Sequence, residues 1–408
     1  MLDRAAAVDE VFRTLPARYV GAPAGFDATW HIRIADLGRV YEVRCTPHGA
    51  RVRPGTSMRP DVVIGTDAET WLAVREGQLH GIEAFAQRRL YARGKLDLAV
   101  GFEGLFHLPT GRPPLLRVHD VAVSAGHIST LTLEAEGPDV VLIHGLGSAK
   151  SSFLEAAAAL HRSGFRVHAI DLPGFGSSAK PALAPYTAPW FAQAVLELLD
   201  ALGIHRAHIA GNSMGGRVAL EVGLRHPERV RSLVLLAPAV AFVKRGLHPV
   251  VRLLRPELGV LPHRFARRHV AGQLRALFAD PDALDPAVAD IVVDEFQRVY
   301  GSAWARAAFL SAARQIYLDP PFGRNGFYPR LAGLEPPALF VWGTRDGLIP
   351  ARLGHHVRTW LPQAEQLVLD RCGHVPQVER AEQVAGILRR FIASSEGLAG
   401  AAGHLRAA

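Results

Sequence analysis

The stretch HIAGNSMGGRVAL, residues 208–220, joins a short apolar run to a segment with helical spacing. Within it Ser213 stands between Gly211 and Gly215 in the pattern G-x-S-x-G. Because glycine has no Cβ to clash across a tight turn, the pattern predicts a sharp strand-to-helix turn with a strained central serine. A phosphate-binding loop needs Lys followed by Ser or Thr after its last glycine, and the residues from Arg217 onward do not supply them. The remaining alternative is an ordinary glycine-rich connection.

From residue 139 onward, short apolar runs alternate with segments of helical spacing. This alternation predicts a mainly parallel sheet covered by helices on both faces. Such sheets bind ligands at the carboxyl ends of their strands, so residues that follow the runs are candidates for chemistry. The predicted strands are DVVLIHG, FRVHAIDLPGFG, HRAHIAG, SLVLLAPAV, ALFVWGTRDG and AEQLVLDRCGH.

Three chemically distinct side chains follow three of these strands, namely Ser213, Asp346 and His374. A nucleophile, an acid and a base at one sheet edge are the groups that serine hydrolysis requires. Taken singly, Asp346 could be a turn residue before Gly347, and His374 could be a hydrogen-bonded histidine at a strand end. Their joint occurrence in this order favours the catalytic interpretation.

At this point the chain resembles the α/β-hydrolase family over residues 115–393. The resemblance depends on five motifs in the family's order, HGLGSAKSSF, DLPGFGSS, GNSMGG, WGTRDGLIP and GHVPQVE. It implies an α/β fold in which the chain order of the catalytic residues is nucleophile, acid, histidine. It also implies that the reaction needs neither a metal nor an organic cofactor.

The resemblance assigns a role to each matching residue. Ser213 would attack the substrate and form an acyl-enzyme, His374 would take and return the proton, and Asp346 would orient the imidazole. The backbone N–H groups of Leu146 and Met214 would form the oxyanion hole. The other residues that the motifs place in the turn and the loop are His144, Gly145, Gly211, Asn212 and Gly215.

The type of nucleophile narrows the range of reactions that the chain is expected to catalyse. Haloalkane dehalogenases and epoxide hydrolases of this fold resemble the chain less, because they carry Asp where it has Ser213. Hydrolysis of esters, thioesters, lactones or amides remains, and so does carbon–carbon hydrolysis of ring-cleavage products. GNSMGG and Gln377 resemble the carbon–carbon hydrolases, but the loop HGLGSAKSS lacks their glycine-proline-glycine sequence. We predict carboxylic ester hydrolysis of lipid-like or other apolar small molecules, with carbon–carbon hydrolysis as the alternative.

An insertion at about residues 241–335 separates two predicted strands and has helical spacing interrupted by prolines. At this position in the fold it would form a cap over the site. Its basic cluster predicts either a solvated helix face or peripheral contact with an anionic membrane. The cluster consists of Lys244, Arg245, Arg252, Arg255, Arg264, Arg267 and Arg268.

The N-terminal part alternates apolar and polar residues in TWHIRIADLG, VYEVRCT, ARVRPG and PDVVIGTD, which predicts an antiparallel meander. Helical segments follow, and about residues 10–108 resemble the sterol-carrier-protein (type two) fold. That resemblance implies a small α+β domain with an apolar tunnel for sterol, fatty acid or acyl chain. A scaffold or dimerisation domain with a filled cavity is the alternative, and a non-catalytic lipid carrier is the alternative for the whole chain.

The sequence therefore predicts a sterol-carrier-like domain at 1–112, a hydrolase domain at 113–395 and a disordered tail at 396–408, with HLPTGRPPLLRV as linker. No apolar run is long enough for a bilayer-spanning helix. The N-terminal sequence predicts an amphipathic helix and not a signal peptide. Cys45 and Cys372 suggest no disulfide framework, which favours the cytoplasm. The net charge of +8 comes without a nucleic-acid-binding motif, so we expect no nucleic-acid partner.

Overall fold

The computed structural model describes residues 2–111, 114–241, 255–261, 265–284 and 286–397. The chain forms two compact units. The N-terminal unit contains residues 1–118 and 131–134, and the second unit contains residues 119–130 and 135–408.

The N-terminal unit contains a five-stranded sheet in the order β3-β2-β1-β4-β5. The strands are β1 (Ala28–Ile34), β2 (Arg39–Thr46), β3 (Gly49–Pro54), β4 (Val62–Thr66) and β5 (Leu90–Gly94). Its helices are α1 (Leu2–Thr14), α2 (Ala68–Arg75), α3 (Gly81–Ala86) and α4 (Leu96–Gly101). This is the smaller α+β domain that the sequence predicts.

The predicted meander is wrong at its fourth strand. Strands β1, β2 and β3 pair antiparallel as expected, but β4 pairs in parallel with β1, where Trp30 lies opposite Val62. The physical reason is the burial of β1, because six of its seven residues are buried. A strand buried to this extent is favoured at the centre of a sheet, between two partners. The alternation of apolar and polar residues along a strand does not reveal that β1 lies at the centre of the sheet.

Aromatic rings fill the core of the N-terminal unit. Phe12 stacks on Tyr41 with ring centroids 3.7 Å apart and on Trp71 at 4.9 Å. Trp30, which is 0% exposed, meets the ring of Phe102 at 5.4 Å. Offset and edge-on contacts of this kind stabilise a core beyond the burial of apolar area.

The second unit contains the six parallel strands of an eight-stranded sheet, whose order is β13-β12-β11-β10-β8-β9-β7-β6. The six strands from β8 to β13 are parallel, as the sequence predicts, whereas β6 begins inside the predicted linker. The strands are β6 (Leu116–Val123), β7 (Gly126–Leu133), β8 (Asp139–Ile143), β9 (Arg166–Ile170), β10 (Ala207–Asn212), β11 (Val230–Leu236), β12 (Ala338–Gly343) and β13 (Glu365–Leu369).

Helices that alternate with the strands cover this sheet, and helices of the insertion form the described part of the cap. The first group is α5 (Leu154–Arg162), α6 (Ala188–Ala201), α7 (Met214–Arg225), α12 (Gly354–Trp360), α13 (Pro376–Glu379) and α14 (Ala381–Ser395). The cap helices are α8 (Arg267–Arg275), α9 (Pro286–Val299), α10 (Ala303–Leu318) and α11 (Phe327–Leu331). The predicted fold class, an α/β-hydrolase sheet with a helical cap, is confirmed.

Part of the basic cap cluster is engaged within the cap itself. Arg267 binds Asp290 at 2.6 Å and also pairs with Asp294, so its charge is neutralised there. Among the helices of the described residues, none has the length and apolar character that a bilayer crossing requires. Four residues of the cluster lie outside the described residues, namely Lys244, Arg245, Arg252 and Arg264, and so do residues 398–408 of the predicted tail.

Candidate active site

Ser213 lies at the sharp turn between β10 and α7, with φ of 51° and ψ of −113°. This backbone region is strained for a residue with a side chain, and such strain is characteristic of functional turns. The flanking glycines make the turn possible. A Cβ on Gly211 would lie 2.4 Å from the backbone of Gly215, and a Cβ on Gly215 would lie 2.1 Å from the carbonyl oxygen of Ile143.

Asp346 and His374, which the sequence places 28 positions apart, are in direct contact. The imidazole Nδ1 of His374 lies 2.8 Å from Oδ2 of Asp346, and both residues are buried. The other carboxylate oxygen, Oδ1, accepts the backbone N–H groups of Leu348 and Ile349 at 2.8 Å each. Because a carboxylate only accepts, Nδ1 carries the proton and Nε2 is left as a base.

The loop after β8 is positioned by His144, which is 0% exposed. Its Nδ1–H donates to the carbonyl oxygen of Gly145 at 2.7 Å, and its Nε2 accepts the N–H of Leu172 at 3.0 Å. Burial lowers the pKa of His144, so the ring stays neutral and can both donate and accept. His144 thus positions the loop and does not act as a base.

The predicted oxyanion-hole donors are the backbone N–H groups of Leu146, in the loop after β8, and of Met214, which directly follows Ser213. Met214 is the first residue of α7, where an N–H has no acceptor within the helix. Neither N–H donates to a backbone carbonyl elsewhere in the described part of the chain. Gly145 brings the two segments together, since a Cβ there would lie 3.3 Å from the Cβ of Ser213.

A buried ion pair behind the loop was not anticipated from the sequence. Lys150 Nζ lies 2.8 Å from Oδ2 of Asp171, and the backbone N–H of Lys150 donates to Oδ1 at 2.6 Å. Burial by itself raises the pKa of the Asp171 carboxyl, but the charge of Lys150, the nearby His144 and the hydrogen bonds from Lys150 together outweigh it, and the net pKa is lowered. Asp171 begins the motif DLPGFGSS, so the motif pointed to this position although its partner could not be read from it.

The cap holds the histidine loop through backbone contacts that the sequence also did not reveal. The N–H of His374 donates to the carbonyl oxygen of Leu277 at 2.7 Å. A Cβ on Gly373 would lie 2.3 Å from that same oxygen, so the close approach requires glycine. Glu379 accepts the N–H of Gly373 at 2.8 Å and that of Ala279 at 3.1 Å. The glycine before His374 was the available signal.

A cavity of about 250 Å³ lies between helices α6, α7 and α10 and is partly lined by Met214. Its apolar wall consists of Phe191, Val218 and Ile316, and its polar part includes Arg217 and Asp319. Arg217 pairs with Asp319. Burial lowers the pKa of Arg217 to about 10 and raises that of Asp319. The cavity therefore offers an apolar surface that begins beside a predicted oxyanion donor.

Cys372, two residues before His374, is not a second nucleophile. Its side chain is 0% exposed, and burial raises the pKa of its thiol to about 12. A thiol with so high a pKa is scarcely ionised near neutral pH and is therefore inert. Cys372 is therefore a small buried residue of the core.

The family follows from comparison with known proteins. A family model for the alpha/beta hydrolase fold matches residues 138–381, more than half of the chain. The chain therefore belongs to the alpha/beta hydrolase family, as its motifs and sheet order predicted, and it is a hydrolase. A second family model, for the SCP-2 sterol transfer family, matches residues 20–107 and confirms the N-terminal resemblance.

Three relatives illustrate the range of activities in this family. A 2-hydroxymuconate semialdehyde hydrolase of Pseudomonas putida is 32% identical over 68% of this chain and 94% of its own length. A pimeloyl-[acyl-carrier protein] methyl ester esterase of Aeromonas hydrophila is 29% identical over 63% of this chain and 96% of its own. Among solved structures, a membrane phospholipase A described as a bacterial virulence factor is 28% identical with a TM-score of 0.58, covering 80% of this chain and 97% of its own.

Proposed function

We propose that this protein is a serine hydrolase that cleaves carboxylic esters of apolar acyl groups through Ser213, His374 and Asp346. The observation that carries the proposal is the 2.8 Å contact between His374 and Asp346, at the same sheet edge as a serine in a strained turn. In this arrangement an orienting carboxylate leaves Nε2 of the histidine free to accept a proton from the serine hydroxyl.

The reaction proceeds in two steps. Ser213 Oγ attacks the ester carbonyl carbon while His374 Nε2 takes the hydroxyl proton, and the carbonyl oxygen becomes an oxyanion that the N–H groups of Leu146 and Met214 stabilise. Collapse of the tetrahedral intermediate breaks the bond to the alcohol, which leaves with the proton from His374. Water then attacks the acyl-enzyme and gives a proton to His374, and collapse of the second tetrahedral intermediate returns that proton to Ser213 Oγ as the carboxylic acid leaves.

Two observations support an ester of an apolar acyl group. The cavity beside Met214 has an apolar wall, and its volume of about 250 Å³ suits an acyl group of moderate size. The relatives include a methyl ester esterase and a phospholipase A, which are both ester hydrolases by their names. Ser213 is 8% exposed, so little of the serine is open to solvent in the unliganded chain.

Labelling with a fluorophosphonate probe tests the serine mechanism. We expect stoichiometric labelling of the folded protein, loss of label in Ser213→Ala, and unchanged label in Ser163→Ala, which removes an exposed hydroxyl at the end of α5. Absence of label on folded protein, or label that survives Ser213→Ala, would overturn the proposal. The first of these outcomes would favour the non-catalytic lipid carrier.

Carbon–carbon hydrolysis is the second candidate because of the relative that acts, by its name, on 2-hydroxymuconate semialdehyde. Both reactions use the same three side chains, so the substrate must discriminate between them. We expect p-nitrophenyl acyl esters to be turned over with a higher kcat/KM than a vinylogous 1,5-diketone ring-fission product. A higher kcat/KM for the diketone would reverse this order and leave the serine mechanism intact.

A further inference from the structure

The loop that carries His374 and the cap are joined by a closed set of hydrogen bonds. The N–H of His374 donates to the carbonyl oxygen of Leu277 in the cap at 2.7 Å. The preceding N–H, that of Gly373, donates to the carboxylate of Glu379 at 2.8 Å. The same carboxylate accepts the N–H of Ala279, two residues after Leu277, at 3.1 Å. Glu379 therefore binds both the histidine loop and the cap segment that contacts it.

These two segments lie against each other without room for a side chain at Gly373. A Cβ there would lie 2.3 Å from the carbonyl oxygen of Leu277, 2.7 Å from the backbone nitrogen of Ala279 and 2.9 Å from the carbonyl carbon of Phe278. Three consecutive cap residues thus contact the backbone of the residue before His374. A displacement of residues 277–279 would either move the histidine loop or open this contact.

The side chain of Glu379 suits a role between two segments. Glu379 is the last residue of α13, and the sequence separates it from Ala279 by 100 positions. Its Oε2 lies 2.8 Å from the nitrogen of Gly373 and 3.3 Å from that of Ala279, while Oε1 lies 3.1 Å from the nitrogen of Ala279. A carboxylate accepts several hydrogen bonds at once, and bonds to a charged acceptor are stronger than bonds between neutral groups.

We propose that Glu379 is a positioning residue for hydrolysis, which couples the placement of the cap to that of His374. The inference rests on the proposed serine mechanism, because Nε2 of His374 must lie where it takes the proton of Ser213. Asp346 fixes the ring at Nδ1, whereas the loop backbone fixes the Cα from which the ring extends. Without the carboxylate of Glu379, two backbone N–H groups lose their acceptor and the cap segment is released. The base is then misplaced although the three catalytic side chains remain.

Two variants separate the reach of Glu379 from its charge. Glu379→Gln keeps the length and one acceptor oxygen, which can serve both N–H groups, whereas Glu379→Asp keeps the charge but is one methylene shorter. We expect kcat for p-nitrophenyl butanoate to fall about tenfold to a hundredfold in Glu379→Asp, because a shift of about 1 Å can cost that much. The fall should be smaller in Glu379→Gln, and KM should change less than kcat in both. Glu382→Gln, at an exposed carboxylate in the first turn of α14, should alter neither constant.

The rate of fluorophosphonate labelling separates positioning from a general loss of structure. Labelling of Ser213 requires activation by the base, so its rate constant should fall in Glu379→Asp by a factor similar to that in kcat. The final stoichiometry should stay at the wild-type value. A purely structural role would lower the labelled fraction and the unfolding temperature, and it would leave the rate constant of the folded fraction unchanged.

A second substitution reaches the same contact from the other side. Gly373→Ala places a Cβ against the carbonyl oxygen of Leu277 and should also slow labelling. Glu379→Asp should slow labelling less in the Gly373→Ala background than in the wild type, because the contact is already open there. Equal slowing in both backgrounds would mean that Glu379 does not act through this contact, and it would overturn the proposal.

The outcomes for the two proposals are distinguishable. An unchanged rate constant of labelling in Glu379→Asp, or a larger loss of kcat in Glu379→Gln than in Glu379→Asp, would refute only the positioning role. The second of these results would show that the charge of the side chain matters and its reach does not. Wild-type protein that takes no label would refute the serine mechanism, and the positioning role with it.

Discussion

The side-chain amide of Asn212 donates a hydrogen bond to the backbone carbonyl oxygen of His374 at 3.0 Å, across 162 positions of sequence. The same amide nitrogen donates to the carbonyl oxygen of Leu236 at 3.0 Å. The residue immediately before Ser213 therefore holds the loop that carries the histidine. Placement of a catalytic base to within a fraction of an ångström depends on such supporting contacts.

We expect Asn212→Ala to lower kcat about tenfold or more while KM changes less, because the histidine loop loses its tie to the serine turn. Two buried carbonyl groups also lose a donor, so the free energy of unfolding should fall by about 1–3 kcal/mol. Ester hydrolysis and urea unfolding measure the two effects. Asn325→Ala, which changes an exposed amide, should alter neither. An unchanged kcat in Asn212→Ala would contradict the positioning role.

Asp346→Asn should preserve the fold and lower kcat roughly ten thousandfold. Because Leu348 and Ile349 donate to one oxygen of Asp346, the amide oxygen of the variant would stay there and its NH₂ would face Nδ1 of His374. That arrangement moves the ring proton to Nε2, and the base is lost. Asp370→Asn, at a carboxylate that is 80% exposed, is the control. A near-normal kcat in Asp346→Asn would mean that another acid orients the ring of His374.

Asp171→Asn should lower the free energy of unfolding by about 3–5 kcal/mol, because the buried ammonium of Lys150 loses its carboxylate. The free energy of unfolding should fall less in the double variant Lys150→Met/Asp171→Asn, since no charge is then left buried. Urea unfolding of the single and double variants measures the difference. If the double variant were less stable than Asp171→Asn, the ion pair would not account for the loss.

The stability of the second unit should decrease as the pH falls from about 6.5 to about 4. Burial lowers the pKa of His208 from 6.5 to about 4, so the folded chain keeps this ring neutral while the unfolded chain takes up a proton. Stability is therefore complete above pH 6.5 and is lost below it, by about 1.4 kcal/mol per pH unit for one proton. Urea unfolding between pH 7 and 4 should show a smaller slope in His208→Asn. His355→Gln, at an exposed ring, should retain the wild-type slope.

Ile316→Trp should shift the preferred ester toward shorter acyl chains, because Ile316 lines the cavity beside Met214 and the indole would occupy part of it. The measurement is kcat/KM for p-nitrophenyl esters of increasing chain length. Leu318→Trp changes a residue of the same helix that is 40% exposed and should leave the chain-length profile unchanged. An unchanged profile in Ile316→Trp would place the acyl group elsewhere.

Local pattern was sufficient to predict the parallel strands of the second unit and the turn at Ser213. Both depend on short-range physics, since apolar runs of strand length mark buried strands and a turn without room for a Cβ requires glycine. The order in which Ser213, Asp346 and His374 follow their strands was also visible, because the carboxyl ends of parallel strands meet at one sheet edge. What the sequence provided was the type of each residue and its place along its own element.

Tertiary structure alone decided which distant groups meet. The parallel pairing of β4 with β1, the hydrogen bond from Asn212 to His374 and the hold of Leu277 on the histidine loop join residues that are far apart in sequence. Burial of the Arg75 side chain follows from the packing of α2 against aromatic rings, and the sequence shows only an arginine at a helix end. Periodicity reports the face of an element, whereas contacts across the fold depend on how the faces pack in three dimensions, so only the folded chain determines them.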